Sequence, residues 1–570
     1  MNLNLTFIFI TRTPQGLLET PMTARKVRGI SWKFADQAGI VLAVGVAGLV
    51  AVAGCSSDAD VDGSPAGAGG KAAAGAAGRA GGGGKGGAAI GGSEDVAGAA
   101  PVGEGGAAGT PDDVTPPGDG GAAGEGSGVP FTLHLSPTLT PKTVNITAGG
   151  HDRFYGVTFD ADGNIYAVGV TAPGILATTD FATVVAKFSP AGVLDTTFGS
   201  DGYAIRNVAV GAAGELARGI AIQPDGKIVI STSIEATGVG LDARDRDLAV
   251  LRYLPNGKKD TTFGEDGIVK FSLSDGLLVG TAFLADSVWG MSMYPDGRLV
   301  LNAGMVSAAK TDTNFAIVRL SADGAFDDTF GNQGVYQHDT LVGATGSASN
   351  NASPRNLTLL PGTQGIIGAG YQPVPGADTK PCVFHVTDKG QLDTAFGVDG
   401  TFSEAVFTEQ TETYAAVPQS TGKLVTTGYA RELSTETTDI LSMRLNVNGK
   451  RDLTYGTAGA LKLDIGGFGD NSRNLIVLPN DHVILVGGGR PVTDNVDGVV
   501  VALTADGKPE TTFSATGWKT LDLGGPADFL WGAALSPSKT SVAAVGIKGA
   551  GAAVGAGDDD AVLLILKLVE

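Results

Sequence analysis

The sequence predicts an all-β protein: a seven-bladed β-propeller of four-stranded antiparallel blades, preceded by a disordered Gly/Ala-rich tether. Three observations predict it. An eleven-residue phrase, GVLDTTFGSDG at 192–202, returns at 257–267 (GKKDTTFGEDG), 324–334 (GAFDDTFGNQG) and 390–400 (GQLDTAFGVDG), with looser copies at 449–459 and 507–517. The spacing is regular, because the aromatics Phe198, Phe263, Phe330, Phe396, Tyr455 and Phe513 fall 65, 67, 66, 59 and 58 residues apart. Between phrases, short alternating apolar runs flank tight-turn signals. A period of this size marks units that bury their apolar faces only against neighbours.

The elements follow in chain order. Residues 1–54 read as a secretory signal. The basic run Arg25-Lys26-Val27-Arg28 precedes an apolar stretch at 39–53 that is short for a membrane span and ends in small residues. A second apolar patch at 5–10 comes before the basic run, so a true start at Met22 gives a conventional signal length. The residues VAGCSS at 52–57 resemble the lipobox of bacterial lipoproteins, which implies cleavage before Cys55 and its acylation. Several acyl chains anchor stably, at about 0.8 kcal/mol per buried CH₂. Ser56, rather than Asp, resembles lipoproteins sent on to the outer membrane. The competing reading is a plain transmembrane anchor with an incidental Cys.

Residues 55–129 are dominated by Gly and Ala, as in GAGGKAAAGAAGRAGGGGKGG, and lack the apolar pattern that offsets ordering entropy. Flexible chain of that length spans about 45–50 Å root-mean-square. Residues 130–570 carry the repeat. Each unit has a strand after the phrase, then two strands around a turn such as Asp225-Gly226 or Asp296-Gly297, then a strand leading back to the phrase. Asp-Gly between apolar runs is a strong hairpin signal. Seven strands follow this first pattern against six phrases, because one lies at 142–149, before the first phrase. That strand either joins the last blade as a clasp or leaves closure to packing. An open stack of β units is the alternative architecture.

The phrase resembles the delta-60 repeat of bacterial secreted proteins, with clear signatures in units two to four and erosion later. The resemblance implies a propeller over residues 142–570 and almost no chemistry.

Within the phrase an acidic column, Asp195, Asp260, Asp327, Asp393, Asp452 and Glu510, stands in register with Lys187, Arg252, Arg319, His385 and Arg444 on the preceding strand; Ala502 is the exception. Recurrence in every unit favours a structural role, since a catalytic site is made once. The acid accepts turn N–H groups and faces the cation, and the aromatic wedges between blades. Truncating such an aromatic costs about 3–5 kcal/mol.

The connections on one face are uniform and those on the other vary. Binding residues concentrate on loops held by a rigid scaffold, which makes the variable face the candidate binding surface. Its acidic residues are Asp242, Asp245, Asp247, Asp494, Asp497, Asp558, Asp559 and Asp560.

No G-x-S-x-G or H-E-x-x-H motif is present, and the five His have no metal-ligand spacing. The turn at 160–164 (DADGN) holds part of a calcium loop without the rest of its ligands. We therefore expect no catalytic residues, no metal and no cofactor. Cys382 lies at a strand start, so no disulfide framework exists. The formal charge of −20, near −23 once the net +3 of the first 54 residues is removed, repels nucleic acid and anionic headgroups. The sequence thus points to a monomeric, lipid-anchored binding or scaffolding module at the outer membrane. It would meet the membrane through its anchor and an unknown protein or glycan through its loops. A glycan-acting lyase or hydrolase with a site at the channel mouth is the alternative.

Overall fold

A computed structural model describes the strands at 5–13 and 16–24, and residues 134–569 apart from 174–179, 210–214, 236–244, 280–281, 308–311, 340–351, 364, 374–378, 434, 493–494 and 550–558. The chain divides into two compact units, Met1–Val61 and Asp62–Glu570. In the first, Leu5–Thr13 pairs antiparallel with Gly16–Ala24. The signal segment 25–54, Cys55 and the Gly/Ala-rich stretch to 129 lie outside the described residues.

The second unit contains strands and no helix among its described residues. Its main strands pair into seven antiparallel sets of four. The first set is Gly150–Phe159, Ile165–Pro173, Ala182–Phe188 and Tyr203–Arg206, in that spatial order. The same order recurs from Leu216–Ile222 to Ile268–Phe271, and from Ser287–Met293 to Val335–His338. Further sets begin at Ser353–Leu359, Gln410–Pro418 and Asn471–Val477. A single parallel bridge, Thr379 with Gln410, links the fourth set to the fifth. The same kind of contact recurs at His151 with Asp559 and at Val496 with Ala527.

The phrase is the hairpin between the third and outermost strands of each of the first six sheets. The strand after it therefore completes the sheet before it rather than opening the next one. This explains why six phrases serve seven sheets. The seventh sheet, Phe529–Leu535, Ser541–Lys548 and Asp560–Val569, receives its fourth strand from the start of the repeat region, where Pro141–Val144 pairs with Asp560–Val569. His134–Leu135 extends the same edge. The strand at 142–149 is thus the clasp, shortened to 141–144.

Packing closes the same cycle. Seven apolar clusters each lie between two consecutive sheets, the last joining Phe154, Ala167 and Val184 to Ala543, Val545 and Leu563. Strands buried on both faces explain why Val, Ile, Leu and Ala run almost unbroken through the second and third strands. The six phrase aromatics sit in six of these clusters, and the seventh junction has no phrase to supply one.

Local deviations occur. The fourth sheet's outer strand is short, Thr401–Phe402. The connection at 275–286 carries a small hairpin of its own, Leu277–Val279 with Ala282–Leu284.

Candidate functional site

The first strand of every sheet breaks register at one place, and one residue bulges out of the ladder there. The bulges carry Tyr155, Arg218, Trp289, Arg355, Tyr414, Arg473 and Trp531, the fourth accompanied by Asn356. A bulge re-aims a side chain that strict alternation would have sent into a sheet-to-sheet interface. These seven side chains touch one another in sequence. The Arg218 guanidinium carbon lies 5.6 Å from the Tyr155 ring centre and 3.4 Å from that of Trp289. Arg355 lies 3.9 Å from Trp289 and 4.7 Å from Tyr414. Arg473 lies 4.4 Å from Tyr414 and 5.0 Å from Trp531. Trp531 meets Tyr155 edge-on at 5.4 Å, which closes the circle.

The first strands therefore surround an axis, and the circle of bulges lies on it. Close approach requires glycine after four of the bulges. A Cβ on Gly156 would stand 2.1 Å from the Arg218 carbonyl oxygen, and one on Gly532 2.6 Å from that of Tyr155. Tyr155, Arg218, Arg355, Tyr414 and Trp531 are buried, whereas Trp289 and Arg473 keep part of their surface in water. Arg355 also donates to the hydroxyls of Tyr371 at 2.6 Å and Tyr414 at 3.3 Å.

Three positions before each bulge stands a second column: Asp152, Glu215, Asp286, Ala352, Thr411, Asp470 and Asp528, all buried. The polar members hold the chain arriving from the preceding sheet's outer strand. Asp152 accepts from the N–H groups of Ile146 and Thr147, and Glu215 from those of Val208, Ala209 and Thr183. Asp470 accepts from Ile465 and Arg490, and Asp528 from Leu523 and Gly549. Burial pushes Glu215 and Asp470 up to about 7, and Asp286 and Asp528 up to about 6, against the downward pull of those N–H groups.

On the opposite face, each phrase acid accepts its own turn N–H and meets its cation. Asp195 takes Thr197 and Lys187, Asp260 takes Thr262 and Arg252, and Asp327 takes Thr329 and Arg319. Asp393 takes Ala395 and His385, and Asp452 takes Thr454 and Arg444. Against the opposing effect of burial, Thr262 and Arg252 hold the Asp260 carboxyl below the usual carboxylate range. Glu510 faces Ala502 and takes His482 instead, at 3.1 Å. His482 belongs to a further column at the hairpin turns, with Lys227, Arg298 and Lys423, each within ion-pair distance of the same acids. Phe198, Phe263, Phe330, Phe396, Tyr455 and Phe513 are all buried beside these pairs.

Among the described residues, the acidic loop residues do not form one patch of free carboxylates. Asp559 is held by Arg153 at 2.6 Å and His151 at 3.1 Å, and Asp560 accepts from Asn145. Asp497 accepts from Asn495, and Asp245 caps the N–H of Arg246 beside Asp247. Asp242, Asp494 and Asp558 lie outside the described residues, as does Cys55. Two carboxylate triads, Asp439–Asp464–Asp470 and Asp497–Asp522–Asp528, bring their oxygens within 4.8 Å and have the geometry to hold a cation. In the turn at 160–164, Asp160 accepts from Asp162, Asn164 and Tyr166.

Comparison with known proteins adds a family match within the repeat region. Residues 223–263 and 295–330 match the family described as a domain of unknown function (DUF5122) beta-propeller. The fold is a β-propeller. Among solved structures, this propeller is similar to a protein of unknown function from Dyadobacter fermentans, with TM-score 0.37 and 11% identity over 77% of this chain and 99% of that one. It is also similar to the beta-propeller domain of the Trilobed protease from Pyrococcus furiosus, which has an open velcro topology, with TM-score 0.34 and 9% identity over 71% and 93%. A third is the NanB sialidase from Streptococcus pneumoniae, with TM-score 0.36 and 9% identity over 74% and 69%. No curated protein matches the chain significantly.

Proposed function

We propose that this propeller, seven-bladed and closed by its clasp, is a binding or scaffolding module anchored at the cell envelope through a lipid on Cys55. Its working surface is the variable-loop face. One observation carries the reading: the arginine–aromatic circle lies in the loop-face half of the axis. Each bulge comes three residues after the column that pins the loops, whereas Trp289, for example, is five residues from the hairpin turn at Tyr294. The hairpin face supports the same assignment from the other side, since its recurring charges are consumed by internal pairs.

The competing reading is an envelope glycan lyase or hydrolase at the channel mouth. It has less support, because the seven bulge positions hold four aromatics and three arginines and no carboxylate, imidazole or thiol, which leaves only the phenols of Tyr155 and Tyr414 to move a proton there. Charge reversal separates the faces. Asp245→Lys with Asp247→Lys on the loop face should abolish capture of a partner from envelope extracts, and Glu265→Lys on the hairpin face should leave it intact. Loss confined to Glu265→Lys overturns the assignment. Palmitate labelling that survives Cys55→Ser overturns the anchor.

A further inference from the structure

We infer that the arginine–aromatic circle is a receptor for a compact oxyanion, a carboxylate or phosphate group on a small ligand. The inference rests on the loop-face reading and names the chemistry of what enters there. Three guanidiniums, Arg218, Arg355 and Arg473, occupy alternate places in one circle of seven side chains. A guanidinium stacked on a ring keeps its plane fixed and directs its N–H fork edge-on, the geometry that matches a carboxylate or phosphate edge. Trp289 is shared by Arg218 and Arg355, at 3.4 and 3.9 Å, and Tyr414 by Arg355 and Arg473, at 4.7 and 4.4 Å. The aromatic faces thus serve as spacers that hold like charges in place.

A second observation points the same way. The indole Nε1 of Trp531, a donor only, is buried beside Arg473 without a hydrogen-bond acceptor. A buried donor of this kind costs about 1–3 kcal/mol unless something accepts from it. An oxyanion answers both the donor and the clustered positive charge. The one glutamate two residues before a bulge, Glu412, accepts from Gln410 and Thr379 through Oε1. Partial exposure of Trp289 and Arg473 leaves the circle within reach of solvent.

The rest of the chain narrows the class. A cationic centre inside a protein of net charge −20 favours a compact anion that fits the axis, whereas a polyanion such as nucleic acid meets a repulsive rim first.

The test uses the full chain at constant ionic strength, titrated with sodium citrate and, separately, with inorganic phosphate. Emission from Trp289 and Trp531 reports the circle. At least one anion should give a saturable change at millimolar or lower concentration. Affinity should fall about tenfold or more in Arg355→Gln and in Arg473→Gln, and stay unchanged in Lys389→Gln on an exposed turn. The arm that responds separates carboxylate from phosphate. If the arginine variants lose their melting transition, Trp531→Phe keeps a ring while removing the lone donor. Calorimetry should then show several-fold weaker binding. A flat titration with both anions, or equal affinity in the variants that fold, overturns the inference. A flat titration with partner capture still sensitive to Asp245→Lys and Asp247→Lys would sink the oxyanion site alone. Loss of that sensitivity would sink the loop-face reading instead.

Discussion

Arg252 is held at 2.8 Å by Asp260 with both side chains almost entirely buried, and it also donates to the Ala322 carbonyl just before the next phrase. Breaking one side of a buried pair leaves an uncompensated charge, so Arg252→Ala should cost about 3–5 kcal/mol, read as a lower midpoint in urea. A smaller effect has the opposite sign. Ala458 sits at φ 51°, where the equivalent places carry Asp201, Asp266, Gln333 and Asp399. The left-handed region suits Asn better than Ala, and Ala458→Asn should stabilise by about 0.5–1 kcal/mol in the same measurement. The phrase could be read from the sequence because one residue type recurs at each place. The axial circle could not. Its members alternate between arginine and aromatic, so no column of one chemistry forms, and the bulge puts them out of phase with strand alternation. The trace they left was a glycine after four of the seven, Tyr155-Gly156, Arg218-Gly219, Trp289-Gly290 and Trp531-Gly532.

At the scale of single elements, the loops entering each first strand depend on buried carboxyls whose proton affinity is raised. A carboxyl with a folded value near 6 or 7, well above its unfolded value of about 4, stabilises the fold most when protonated. That contribution is present at low pH and is lost as pH rises through the folded value. With Glu215 and Asp470 near 7, and Asp286 and Asp528 near 6, the melting temperature should fall from pH 5 to pH 8. A melting temperature that stays flat or rises across that window would contradict it. This acid column also escaped the sequence reading. The loops before it vary in length, so Asp152, Glu215 and Asp286 stand at uneven distances from the phrase. Strands and hairpin turns were legible because alternation and Asp-Gly are local signals. The grouping of strands into sheets was not. A hairpin signal marks a connection, and only pairing shows that the strand after each phrase belongs to the sheet before it.

At the scale of the molecule, the clasp converts two chain segments distant in sequence into one sheet. Lys142 adds hydrogen bonds to the Ala191 and Gly192 carbonyls of the neighbouring phrase turn. Excising residues 134–144 should lower the melting temperature and leave the edge of Asp560–Val569 unpaired. An open edge invites strand pairing between molecules, so light scattering should rise with protein concentration. An excised chain that stays monodisperse and melts like the parent would contradict the clasp's role. The axial circle adds a consequence of simple parity. Two kinds of member cannot alternate around an odd number of places without one repetition, and here the repetition is Trp531 beside Tyr155. That pair spans the seam where the last sheet meets the first. Every other neighbour along the circle is a cation against a ring, so the seam alone is uncharged on both sides. A ligand drawn to the guanidiniums therefore meets a lopsided field, and it should settle on the Arg473 side of the circle, where a guanidinium stands within reach of the Trp531 indole.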